Sequence, residues 1–440
     1  MCCHTYTPRQ RSARFSAQIT NIYLTLMLTG FLLYPGTQGY AHITAAKSRM
    51  FLALGLGYCA VCAGFYLQRL FSGLYKALTL PALLRRLGAA RLCMLGYLVC
   101  SLISTLFSPY RTQAWLGGSR REGMLTIAVY TAIFLLVSLT AQPGRWLLDV
   151  LGVSMTAFCA ICILQLAGRN PLSLYPAGLN YYDSGTAYTG AFLGPTGNAG
   201  LTAAVLCMAV PVFFLAAARL RRWRLLVPGA LCAGVLAWMG VAAGIVGTLG
   251  SFWLCSLAQL PSRRARRMFC GCSAALLASA LLAVFLLPQL PGTLGEVQQL
   301  LHGTIQDSFG SGRIFIWRNI WPVIWDRPLF GGGPDTLALR VQAQFERFDA
   351  ASNVLYRTSI DAAHNEYLNI WVNQGLFALL CWLGALGISA VRFFQRSQRP
   401  AVLLGCSAVT AYAIQALFGI SMCMSTPFFL LAWAIALHES

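Results

Sequence analysis

Ser311-Gly312-Arg313-Ile314-Phe315-Ile316-Trp317-Arg318, then Pro328-Leu329-Phe330-Gly331-Gly332-Gly333-Pro334, then His364-Asn365-Glu366-Tyr367-Leu368 ahead of Trp371-Val372-Asn373-Gln374-Gly375-Leu376: these blocks punctuate residues 311–375. Most of that stretch occupies the one long polar interval of an otherwise apolar chain, and its histidine stands against the next apolar segment. A membrane scaffold that carries a chemically equipped loop at the bilayer surface would read this way.

The surrounding composition points the same way. The chain is 58% hydrophobic and 10% charged, with a mean hydropathy of +0.64, whereas a soluble globular protein carries about 25% charged residues. Apolar runs recur at about 18–35, 50–68, 92–107, 124–140, 146–166, 198–217, 225–242, 244–260, 268–288, 366–391, 401–420 and 424–438. Their length matches the hydrocarbon core of a bilayer. The expected fold is therefore an all-α polytopic membrane protein with about twelve transmembrane helices and no β-barrel alternation. Three parts follow: helices within 1–288, a large, partly helical extracytoplasmic loop at 289–363, and helices within 364–440. Arg9, Arg11 and Arg14 precede the first run in the manner of a signal peptide, but the many later spans favour an uncleaved helix. A Gly-rich bend near Gly244 separates 225–242 from 244–260.

A net charge of +20 would suggest nucleic acid as partner for a soluble protein. In a membrane protein, Arg and Lys instead collect on the cytoplasmic side, so no nucleic acid is expected. With both termini cytoplasmic, the basic clusters around Arg69, Lys76, Arg85 and Arg86, Arg219 to Arg224, Arg263 to Arg267, and Arg392 to Arg399 all fall inside. Of twelve acidic residues, only Asp149 and Glu439 then fall inside. Of the sixteen cysteines, thirteen sit within these apolar runs and none in 289–363. Cys59-x-x-Cys62 and Cys159-x-x-Cys162 lie mid-span without other ligands nearby, so packing accounts for them.

Residues 312–326 place Ile316, Ile320 and Val323 on one helical face and Arg313, Trp317 and Trp321 on another. Trp317, Trp321 and Trp325 suit a helix at the lipid–water boundary. Residues 335–348 suggest a second helix, and 349–360 an irregular segment. His364 can take and return a proton near neutrality; Asp361 stands three residues before it, and Asn365 and Glu366 extend the polar set. Arg313 and Arg318 can clamp phosphate or snorkel to headgroups. The loop Ser108–Gly123 carries Arg111, Arg120 and Arg121 on the outer side, against the basic-inside tendency, and phosphate binding would explain them. The loop 167–197, with Tyr175-Pro176, Asn180-Tyr181-Tyr182-Asp183 and Gly194–Asn198, reads either as a sugar-lining surface or as interfacial aromatics. No DxD pair, Walker motif, nucleophile elbow or mid-membrane acid is present. A metal-free, cofactor-free reaction on a phosphate-bearing substrate survives that pruning.

Gly312-Arg313-x-x-x-Trp317, Arg327-Pro328-Leu329-Phe330-Gly331-x-Gly333, His364-Asn365-x-x-Leu368 and Gly375-Leu376, in this order, resemble the O-antigen ligase/polymerase superfamily. Gly39-Tyr40 with Thr44-Ala45-Ala46-Lys47, Trp115–Gly123 and Gly194–Asn198 resemble its Gram-positive members. The resemblance implies a GT-C type glycosyltransferase in the bacterial plasma membrane. Its donor would be a glycan on an undecaprenyl (poly)phosphate carrier, and its acceptor a glycan, lipid or polymer. It also implies His364 as base on the acceptor hydroxyl and Arg313 as the cation that neutralises the departing pyrophosphate. Many relatives add a Ser-Arg pair near the outer end of a middle span; here Met239–Gly247 has no charge, so Arg120 or Arg121 would supply the second cation. An anionic-precursor transporter and a non-catalytic envelope-assembly partner are the competing readings.

Overall fold

The computed structural model describes residues 8–73, 79–175, 181–183, 186–188, 193–307, 309–349 and 354–439. Along the chain come α1 (Pro8–Leu26), continued by a π-turn at Met27–Phe31, α2 (Ile43–Phe71), α3 (Leu80–Leu106), α4 (Arg111–Leu116), α5 (Met124–Thr140), α6 (Trp146–Leu166), α7 (Ala199–Leu220), α8 (Leu226–Met239), α9 (Ala242–Gln259), α10 (Arg263–Leu286), α11 (Gly292–Leu301), α12 (Phe309–Asp326), α13 (Glu366–Gln374), α14 (Leu376–Arg396), α15 (Pro400–Gln415) and α16 (Thr426–Glu439). Every apolar run expected from the sequence falls on helix. Among the described residues, seven stretches are long and apolar enough to cross a bilayer: Gly39–Phe71, Leu84–Leu106, Trp146–Leu166, Ala199–Leu220, Ala242–Gln259, Arg263–Leu286 and Leu376–Arg396. Met124–Thr140, Trp223–Met239, Pro400–Gln415 and Thr426–Glu439 are shorter apolar helices. The protein is an all-α polytopic membrane protein.

Three local expectations are corrected. The run 366–391 is two helices, because Gly375 (φ 92°) breaks it. The bend between α8 and α9 lies at Gly240 (φ 65°), while Gly244 is helical and packs on Leu236 and Ala203. The predicted helix at 335–348 and irregular segment at 349–360 are instead a 3-10 turn at Leu337–Leu339 and an antiparallel hairpin of β3 (Gln344–Asp349) and β4 (Val354–Ser359). Phe345 and Phe348 stand three apart, a helix-like spacing; in the hairpin Phe345 pairs with Thr358 and Phe348 with Leu355. A shorter hairpin joins β1 (Tyr181–Asp183) to β2 (Thr186–Tyr188). Lys76, Pro176 and Asn180 lie outside the described residues.

α7 forms the bundle's centre against α8, α9 and α15, and α16 packs on α5 and α15. Small residues permit this closeness: a Cβ on Gly247 would come within 2.5 Å of the Ala411 carbonyl oxygen. Lys47 is fully buried, and its ammonium caps the open carbonyls of Phe31 and Leu32 at 2.9 and 3.1 Å. α10 is the opposite case, with no buried residue. It meets α9 through Trp253, which stacks on Phe269 and donates to Ser273 Oγ at 3.0 Å.

A second, smaller core lies at the end of the bundle where α5 begins. Ile316, Ile320 and Ile324 of α12 pack there on Leu337, Val341, Ile360, Ala363 and Val372. The sequence's apolar face is therefore the seated face of α12. Trp321 and Trp325 point outward, 48% and 57% exposed. Trp317 instead turns inward and donates to the Ala363 carbonyl at 2.8 Å, which holds α12 against the segment leading to His364.

Candidate functional site

The glycine-rich motif builds the floor. Gly333 N donates to the Asn373 carbonyl (2.8 Å), Ser104 Oγ donates to the same oxygen (2.8 Å), and Leu376 N and Trp371 Nε1 donate to the Pro328 carbonyl (2.9 and 3.0 Å). A Cβ on Gly331 would lie 2.3 Å from the Asn373 oxygen and one on Gly375 would lie 2.2 Å from the Leu329 oxygen. Backbone meets backbone here, and glycine with positive φ is what permits it.

Asp335, immediately after this motif, ties the floor to the loop 117–123. Its carboxylate accepts from Gly118 N (2.6 Å) and Glu122 N (3.2 Å), and its carbonyl accepts from Gln113 Nε2 (2.7 Å). Burial pushes the Asp335 carboxyl up to about 6, against the opposing pull of those two N–H groups. The loop so held carries Arg120. Its guanidinium donates to Asp361 Oδ1 at 2.6 Å with its side chain only 12% exposed, and Ser119 Oγ donates to Asp361 Oδ2 at 3.1 Å. Arg121 lies in the left-handed region (φ 58°) and its side chain is exposed. That turn separates two adjacent arginines, one directed inward and one outward.

His364 follows Asp361 at φ 48°. Arg121, Asp335 and His364 are three of the six non-glycine residues with positive φ among the described residues, and such strain gathers at functional positions. His364 is half-buried, and burial, Arg120 and Arg313 together push its imidazole down to about 4, with Asp361 opposing. Arg120 and Arg313 therefore both act on the same imidazole, from the loop before α5 and from α12. Arg313 donates to the carbonyls of Gly310 and, at 2.6 Å, Phe418. Burial lowers its pKa, with Glu296 opposing.

The remaining sequence candidates are placed otherwise. Asn365 caps α13, its Oδ1 accepting from Tyr367 N and Leu368 N at 3.0 Å each. Glu366 faces into the bundle and is 3% exposed. Burial lifts its carboxyl to about 7 and that of Glu122 to about 8. Arg318 stays on the surface, 68% exposed, paired with Asp307 at 3.0 Å. Gly39-Tyr40 and Gly194–Asn198 form a separate structural joint, in which Tyr40 Oη donates to the Gly194 carbonyl at 2.9 Å and Asn198 caps α7. Sequence reading missed Asp335 as the hub and Arg340, whose guanidinium donates to Asn373 Oδ1 at 2.7 Å. The Gly-Gly-Gly-Pro turn directly before Asp335 was the available signal.

The chain has no match among curated proteins. A family model described as O-Antigen ligase matches residues 228–383, a stretch that contains Arg313, Asp361 and His364 but not Arg120. That match supports a function of the O-antigen ligase/polymerase type, and residues 228–383 of this multi-pass membrane protein are similar to O-antigen ligases.

Proposed function

We propose that the protein is a metal-independent glycosyltransferase that moves a glycan from an undecaprenyl-pyrophosphate carrier to an acceptor hydroxyl on the extracytoplasmic face. The observation that carries this is the way two arginines are brought to the segment of His364: Arg120 is bound to Asp361, three residues before it, and α12, which carries Arg313, is bound through Trp317 to Ala363, the residue before it. In this reading His364 takes the proton of the acceptor hydroxyl as its oxygen attacks the anomeric carbon. The bond from that carbon to the phosphate oxygen breaks, and the pyrophosphate leaves with the electron pair. The two guanidiniums stabilise that departing charge in place of a metal. A phosphate group seated between them would also cancel the repulsion that depresses His364, so donor binding strengthens the base. Asp361 holds Arg120, and Asn365 holds the start of α13. The uncharged segment 239–247 leaves the second-cation role to Arg120.

The sidedness is part of the proposal. The basic runs 219–224, 263–267 and 392–399 sit at helix ends opposite the site, as cytoplasmic loops would. The test is transfer of a labelled glycan from an undecaprenyl-pyrophosphate donor by purified protein in nanodiscs with EDTA. Transfer should persist in EDTA and fall by about 10²–10⁴-fold in His364→Ala, a general base's usual share, with insertion and melting unchanged. Full transfer by that variant would overturn the mechanism. Substrate flux across vesicles would favour the transporter reading, and silent His364→Ala and Arg313→Ala variants beside damaging loop deletions would favour the non-catalytic partner.

A further inference from the structure

Beside Arg120 lies a small cavity of about 30 Å³ with apolar walls, into which Arg120, Glu122, Asp335, Glu366, Asn369 and Gln374 also face. That exceeds the roughly 10–15 Å³ that one water molecule needs on this measure. Three buried polar atoms on the lining residues have no protein partner: Arg120 Nε, Glu366 Oε2 and Gln374 Oε1. Glu366 and Gln374 are 3% and 6% exposed, so bulk solvent does not satisfy them. Arg120 Nε can only donate, and the Gln374 oxygen can only accept, as does an ionised Glu366. That set selects its occupant. A cation would leave the Arg120 N–H unpaired and sit against a guanidinium. An anion would face two acceptors. A water molecule accepts one bond and donates two, which is the complement of the three open positions.

We propose that an ordered water in this cavity bridges Arg120 Nε to Glu366 Oε2 and Gln374 Oε1, making Glu366 and Gln374 positioning residues for Arg120. The consequence for catalysis rests on the glycosyltransferase reading; the water itself does not. Tyr97 of α3, Tyr130 of α5, Glu122, Asp335 and Arg120 line the same cavity, Tyr412 of α15 hydrogen-bonds the Glu366 carboxyl and leaves its Oε2 open, and Tyr130 Oη donates to Glu122 Oε1 at 2.8 Å. Each acid therefore has a tyrosine partner, and of the two only Glu366 keeps a buried oxygen, Oε2, without one.

The experiment is an experimental structure in lipid nanodiscs at a resolution that shows ordered water, for wild type, Glu366→Gln and Glu366→Leu. Wild type and Glu366→Gln should show density within hydrogen-bond distance of Arg120 Nε and Gln374 Oε1. Glu366→Leu should lose it. A dry wild-type cavity, or density that contacts only the acids, overturns the proposal. In the transfer assay Glu366→Leu should lower kcat about tenfold while Glu366→Gln stays within about threefold of wild type, the scale of a small misplacement of a catalytic group. Equal losses in both variants would reduce Glu366 to a packing role. Absence of transfer in wild type would sink the functional reading, while the density would still decide the water.

Discussion

Arg120 and Arg313 act on one histidine from walls of different construction. The Arg120 wall is sewn to the bundle by directed polar bonds: Gly118 and Glu122 to Asp335, Gln113 to the Asp335 carbonyl, Arg120 to Asp361. The Arg313 wall is seated mainly by apolar contact, through Ile316, Ile320 and Ile324. Directed bonds fix distance and angle, whereas apolar contact is non-directional and tolerates small shifts. The first wall presets a charge; the second can adjust to what is bound.

The largest expected effect is on the sewn wall. Asp335→Ala leaves two backbone N–H groups unpaired, and should cost about 1–3 kcal/mol for each buried one while abolishing transfer; denaturation and the assay read both. Asp335→Asn keeps an accepting oxygen and sharpens the point. The wild-type carboxyl is raised to about 6 in the folded state, so its contribution to stability is full below about 4, its ordinary value, and is lost as pH rises through about 6. The Asn variant should flatten that slope.

Arg120→Ala should lower transfer by about 10²–10³-fold, as loss of a charge-stabilising donor does, while Arg121→Ala should stay within about threefold, the level of an exposed charge. Equal effects would mean that the turn at 119–121 does not sort the two arginines. Arg313→Ala should cost about 10²-fold in kcat with an unchanged thermal midpoint, because its wall does not depend on it for packing. Loss of stability there would erase the distinction between the walls.

The acid limb of kcat/KM reports the free enzyme. Protonation of His364 on falling pH removes the base, so that limb should lie near 4, the imidazole's depressed value. Removing either cation should move it upward, more for Arg120 than for Arg313, since Arg120 is the stronger repulsion. The smallest effect is Arg318→Ala. That exposed pair with Asp307 should matter by less than about twofold in transfer and under about 1 kcal/mol in stability.

Helices were readable from sequence because a bilayer demands long apolar runs, and each run proved helical. The strand pairing at 344–349 with 354–359 was not, since its two phenylalanines repeat as on a helix and the pairing depends on the partner strand. His364 and Arg313 were readable as residue types on a polar loop. The choice of Arg120 over its neighbour was not, because it depends on the left-handed backbone of Arg121. Glu366 lies two residues after His364 in sequence, but the Asn365 cap starts a helix that turns it into the bundle. Asp335 carries no motif of its own; its role comes from three partners 200 or more positions away in the chain.

The isolation of α10 has a consequence at the membrane. At 24 residues it is about 36 Å long, and no side chain of it is buried against the bundle. Lipid therefore covers most of it, and hydrophobic matching acts on its tilt beside the contact with Trp253. Gln298 of α11 donates to the α10 carbonyl of Val284 at 3.0 Å, and α11 leads directly into α12. A thinner bilayer should lean α10 and load its link through α11 to α12, which its isoleucines and Trp317 hold at the end of the bundle. Lipid chain length should thus reach the Arg313 side of the site through α11, a route that the loop carrying Arg120 does not share.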